Sequence, residues 1–101
     1  MDLTITRFVL FEGQGPLKAF CDLCIGGVLL IRGIRVIAGR KGLFVSMPRQ
    51  QSRNGKWYDS VVPLTKSCRA QIQQAVLEAF ESYHLVGAVQ RDGASNAVRL
   101  P

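Results

Sequence analysis

The side chains in this 101-residue chain best suited to metal or redox chemistry are three cysteines and one histidine. Cys21 and Cys24 spell C-x-x-C, and the remaining donors, Cys68 and His84, stand sixteen residues apart. A tetrahedral zinc site requires four ligands, usually from two closely spaced pairs, so this set is a poor match. A redox C-x-x-C belongs at a helix N-terminus, where the dipole stabilises thiolate. Here the pair lies in LKAFCDLCI, whose residues alternate as a strand does, and positions three apart on a strand point to opposite faces. Three thiols cannot all pair within one chain. The expectation is reduced structural cysteines that behave as small hydrophobes, with no metal and no cofactor.

Catalytic arrangements are equally sparse. His84 falls near the end of a helical pattern, where it suits the negative pole of the dipole better than a proton-transfer role. The acids are scattered, and no two share an element at a spacing suited to acid–base work. Ser46 and Cys68 have no base within their own elements. An enzyme would need a cleft that assembles Cys68, His84 and an acid from distant positions, so neither catalysis nor a small-molecule substrate is expected. Gly39-Arg40-Lys41-Gly42 is the nearest approach to a phosphate-binding glycine loop. KH domains clamp nucleic-acid backbone with a G-x-x-G loop between helices, whereas this one joins two strands. Two cations and free backbone amides in such a turn can still hold a phosphate, and a solvated turn is the alternative.

Charge supplies the clearest chemical signal. The net charge is +6, but nine of the thirteen Lys and Arg residues fall between Arg32 and Arg69, with one acid, Asp59. That stretch carries +8, and the rest of the chain −2. A regional excess of this kind is the electrostatic footprint of a polyanion-binding surface, and a basic face that serves solubility is the alternative. A hydrophobic content of 48% suits a globular core. The longest apolar stretch, Cys24 to Ile31, is broken by two glycines and is far short of the roughly 20 residues of a membrane span. Met1-Asp2-Leu3 has no basic leader region. A cytoplasmic protein with no membrane partner is expected.

The elements that must position this charge are legible from periodicity. Residues 2–11 form a strand, EGQGP turns, and Leu17–Ile25 alternates with period two. Gly26-Gly27 supplies a tight turn into a third strand over 28–37, with Gly33 marking a bulge or close packing. AGRKG turns again into a short strand, Leu43–Met47, ended by Pro48, and Trp57–Val62 makes a fifth, ended by Pro63. Thr65 is placed to cap a helix whose Cys68, Ile72, Ala75, Val76, Ala79, Phe80 and Tyr83 share one face, and Gly87 is a natural stop. The fold class is therefore α+β: an antiparallel β-meander of about five strands with one main C-terminal helix packed on the sheet. One domain is expected over residues 1–86, with a loosely ordered tail over 87–101.

The segments IRVIAGRKGLFVSMPRQQSRNGKWYD and PLTKSCRAQIQQAVLEAF resemble the SpoVG family of bacterial septation proteins. The likeness runs from about Thr4 to Phe80. Its densest part is Arg35-Val36-Ile37, Gly39, Gly42-Leu43-Phe44-Val45 and Met47-Pro48, then Gly55, Asp59, Pro63-Leu64, Arg69, Ile72 and Ala75-Val76-Leu77. The resemblance implies a small homodimeric α+β protein. It also implies a cytoplasmic regulator that binds DNA, with RNA a further candidate, and a role tied to septation and sporulation where those occur. The family's basic loop falls on Arg49 and Arg53, with Lys56 close behind.

The residues themselves point to the same place. Proline at 48 removes an amide and ends pairing, so 49–56 is expected to project as a free connection with no acid to neutralise its cations. Arg49, Arg53 and Lys56 are the leading phosphate ligands; Arg40, Lys41 and Arg69 are secondary candidates. Arg35, deep in a strand, reads as structural or interfacial. Trp57 and Tyr58 point to opposite faces, with Trp57 assigned to the core or a dimer interface. The rival reading is a dimeric protein-interaction scaffold in division that touches no nucleic acid, its strands meeting edge to edge through Val28–Ile31.

Overall fold

The alternation in LKAFCDLCI places this segment at the heart of a sheet. In the structure, a computed structural model, residues 1–87 are described, with side chains as far as Tyr83. Four antiparallel strands, β1 (Leu3–Leu10), β2 (Leu17–Ile25), β3 (Leu29–Gly39) and β4 (Gly42–Ser46), pair in chain order as a meander. Ala19, Cys21 and Leu23 of β2 are fully buried beside Ile5 and Phe8 of β1 and Ile34 and Val36 of β3. The helix α1 (Lys66–Gly87) covers this face with Ile72, Val76, Ala79, Phe80 and Tyr83. Phe8 joins the layers, its ring 5.0 Å from that of Tyr83 and 6.5 Å from that of Phe80. The Thr65 cap forms as expected: its hydroxyl accepts from the Cys68 amide at 3.0 Å.

Register departs from ideal pairing where β3 carries one extra residue. Cys21 opposes Ile34 and Leu23 opposes Ile31, so Arg32 and Gly33 together face Asp22. Gly33 adopts φ +85, open to glycine at no steric cost, and its amide donates to Asp22 Oδ1 at 3.2 Å. The sequence marks Gly33 as a bulge; the structure adds why a buried acid sits opposite it.

The expected fifth strand does not extend the meander. Only Trp57–Asp59 is strand, β6, and it pairs with β5 (Arg49–Gln51) in a separate two-stranded sheet. The smaller boundary differences follow from pairing: β3 runs on to Gly39, and Val28 joins Gly26 and Gly27 in the turn. The α+β class, the antiparallel meander and the C-terminal helix stand as expected. The tail expected beyond Gly87 and the role assigned to the His84 side chain lie outside the described residues.

Cys21 and Cys24 are both free thiols, the first buried and the second half-buried. Burial, with the adjoining Asp22 charge, pushes the Cys21 thiol from 9.0 up to about 12. Across that window the unfolded thiol has lost a proton that the folded one keeps, so stability falls as pH rises from 9 toward 12. The slope contributed is up to about 1.4 kcal/mol per pH unit. Cys21→Ala is expected to lose packing at every pH but to flatten this decline, measured as urea midpoints between about pH 8 and 11. A decline equally steep in the variant would remove Cys21 as its source.

Candidate nucleic-acid interface

The stretch after Pro48 is an ordered hairpin, not the free connection its composition suggests. Arg49, Gln50 and Gln51 pair with Asp59, Tyr58 and Trp57 in antiparallel register. Its base is closed by Ser60, whose amide and hydroxyl both donate to the Pro48 carbonyl at 2.9 and 3.1 Å. At its tip, the Gly55 amide donates to Ser52 O at 3.0 Å and the Ser52 amide to Lys56 O at 2.8 Å. Gly55 takes φ +85 and no other residue of the turn is left-handed, which makes a type I turn closed by a glycine bulge. Gln51 Nε2 donates to Gly55 O, and the Ser52 hydroxyl to Asn54 Oδ1. Arg53 is thereby held at the apex, with Lys56 one position beyond the bulge.

Electrostatics divides the three leading cations. Arg49 Nε lies 3.2 Å from Asp59 Oδ1, directly across the pair, so the expectation that no acid neutralises the segment is wrong for this residue. Both side chains are substantially exposed, and the pair is of the weak surface kind. Arg53 and Lys56 are exposed and have no ion-pair partner among the described residues.

Of the two aromatic residues, which split across two faces as expected, Trp57 departs from one of its two expected placements. Trp57 is 58% exposed and Tyr58 48%, so Trp57 is no part of this chain's core. They occupy opposite faces of the hairpin: Trp57 shares one with Gln51, Arg49 and Asp59, while the Tyr58 hydroxyl donates to Gln50 Oε1 at 2.9 Å on the other.

The secondary candidates separate in space. Arg69, one turn into α1, lines a crevice with Val45, Met47 and Pro63, and so lies beside the residues that flank the hairpin's base. Arg40 and Lys41 form the two-residue turn between β3 and β4, where Gly39 pairs with Gly42. They stand at the opposite end of β4 from Pro48, separated from it by the length of that strand, about 15 Å at strand rise. The structure gathers Arg49, Arg53, Lys56 and, at the base, Arg69; it does not bring Arg40 and Lys41 to them.

Comparison with known proteins bears on the whole of this arrangement. The SpoVG family model matches residues 1–82, which span the sheet, the hairpin and most of the helix. The chain belongs to the SpoVG family. Among its relatives, the "Putative septation protein SpoVG" of Symbiobacterium thermophilum is 36% identical over 101 residues, covering 100% of this chain and 72% of that protein. A SpoVG protein of Listeria monocytogenes is 41% identical over 81 residues, 80% of this chain and 79% of the relative. One from Archaeoglobus fulgidus is 31% identical over 80 residues, 79% and 94% of the two chains. Among the described residues of this SpoVG-family chain no helix is long and apolar enough to cross a membrane.

Proposed function

We propose that this SpoVG-family chain is a nucleic-acid-binding regulator that works as a homodimer and grips duplex DNA by phosphate contacts from the hairpin apex. The observation that carries the reading is the pair of uncompensated cations, Arg53 and Lys56, on a hydrogen-bonded projection free of the core. Guanidinium and ammonium groups held this way meet phosphate without first breaking an intramolecular ion pair. Arg49 supports the strand pairing and contributes less, and Arg69 adds positive potential at the base. RNA is a second candidate ligand for the chain. The relatives' names add a link to septation. No catalytic role is proposed.

The dimer is supported by an open edge. β4 pairs with β3 only over Arg35–Gly39, so Leu29–Ile34 has β2 as its sole strand partner among the described residues. Beside that edge runs an apolar groove of about 330 Å³ lined by Ile25, Leu29, Ile31, Val61, Leu64 and Cys68. Val28 and Leu64 are 90% and 93% exposed. With Leu29, Leu30 and Val62 they leave a run of exposed branched side chains along this edge, the kind of apolar surface that a stable interface buries. A twofold axis normal to the sheet would set two such edges antiparallel and keep both apolar faces on one side. The same edge supports the rival reading, a scaffold that assembles with proteins alone.

Fluorescence anisotropy of a labelled duplex across a salt series tests the function, with sedimentation velocity for the dimer. Affinity that falls steeply with salt is expected; no binding even at low salt would favour the scaffold. Leu30→Lys with Leu64→Lys is expected to yield folded monomers, and an unchanged sedimentation coefficient would remove this edge as the interface.

A further inference from the structure

The helix covers one face of the four-stranded sheet, and among the described residues no element covers the other. Val9, Phe20, Arg35 and Ser46 form a continuous row across that uncovered face, each paired with the next from β1 to β4. Phe11 packs against Phe20 with ring centroids 5.2 Å apart, and the Arg7 guanidinium lies over the same ring at 5.5 Å. One row along, Phe44 opposes Ile37 and leans over Gly39, where an added Cβ would meet its ring at 3.0 Å. Phe11 and Phe44 remain 39% and 44% exposed. Asp22 stands directly across the strand pair from Arg7, but it is buried, accepts from the Gly33 amide and forms no ion pair with that arginine. The face therefore combines aromatic rings with arginines that have no acidic partner among the described residues.

We propose that this face is a second nucleic-acid site, taking single-stranded DNA or RNA, with bases stacked on Phe11 and Phe44 and phosphates held by Arg7 and Arg35. Duplexes hide their base faces, so exposed rings on an open sheet offer them nothing beyond charge. Unpaired bases present a π-face to each ring, and every base type can do so. Arg7, flat on Phe20, extends the stacking surface, as guanidinium planes do for bases. An acidic peptide would satisfy the arginines but would leave the ring faces without matched partners. The site is separate from the hairpin apex, and its existence does not depend on duplex binding there.

The test uses the full chain, a labelled 20-nucleotide oligo-dT or oligo-U, and a labelled duplex of the same length. Phe11→Ala with Phe44→Ala is expected to weaken the single strand about tenfold or more while changing duplex affinity less than twofold. Arg7→Gln with Arg35→Gln, which spares the rings, should weaken the single strand in the same selective way. Arg53→Glu with Lys56→Glu should do the opposite. Trp57, the sole tryptophan, sits on the hairpin, so its emission should stay constant as the single strand saturates the sheet. The proposal is overturned if wild-type chain fails to bind the oligonucleotide at low salt, or if both sheet variants bind it normally. Quenching of Trp57 by the oligonucleotide, or displacement of it by polyglutamate as readily as by unlabelled strand, would overturn it as well.

Discussion

Reversing charge at the hairpin apex, Arg53→Glu with Lys56→Glu, is expected to lower duplex affinity on the order of 100-fold at about 50 mM salt. The size follows from counterion release. A dimer that sets two apices on one duplex engages about four phosphates, giving a slope of log affinity against log salt near −3.6. Removing those cations should flatten the slope toward zero, and the introduced carboxylates add repulsion at low salt. Folding should be untouched, because both side chains are exposed and Gly55, which the turn geometry requires, is retained. Arg49→Gln should cost far less binding. Its guanidinium is shared with Asp59, and the lost pair is worth roughly 0–1 kcal/mol at an exposed site. Anisotropy across a salt series reads both quantities. A double variant that keeps wild-type affinity and slope would move the duplex site off the hairpin.

That ranking of the cations is not available from composition, and the reason is physical. Leu17–Ile25 was legible because one face is buried, and burial of one face imposes alternation on the residues themselves. Thr65 and the Cys68–Tyr83 stripe were legible for the same reason: a cap and a covered face each demand particular residue types. Arg49–Gln51 carries no such demand. All three residues are exposed, none is β-branched, and the strand exists because Trp57–Asp59 lies opposite and the Ser52–Lys56 turn sets the register. Pro48 does end pairing with the main sheet, as the sequence implies, but the chain pairs again one residue later. The core placement of Trp57 fails through a similar gap, since its size favours burial while the hairpin has only one layer; a dimer interface is its other expected place. Asp22 illustrates the converse. Its alternation marks an outward polar residue, and only the bulge at Arg32–Gly33 supplies the backbone donor that lets it be buried.

The core residue whose loss should matter most is Phe8. It is 1% exposed, comes from the edge strand β1, and packs against both Phe80 and Tyr83 of α1. Phe8→Ala removes the contact that fastens the last turns of the helix to the sheet and leaves a cavity the rigid β1–β2 pairing cannot close. A cost of about 3–5 kcal/mol is expected, against a total stability on the order of 5–15 kcal/mol for a domain of this kind. Urea unfolding should show the midpoint displaced with the slope unchanged, and a shift of less than about 1 kcal/mol would mean that the helix is held elsewhere. The hairpin lies beyond Pro48, outside this packing, and its turn is closed by its own hydrogen bonds. Duplex affinity per folded molecule should therefore survive Phe8→Ala at low temperature, whereas it should not survive Arg53→Glu with Lys56→Glu. The two variants would divide the molecule into a layer that makes the fold and a projection proposed to make the contact, and each prediction would fail if the other's residues did its work.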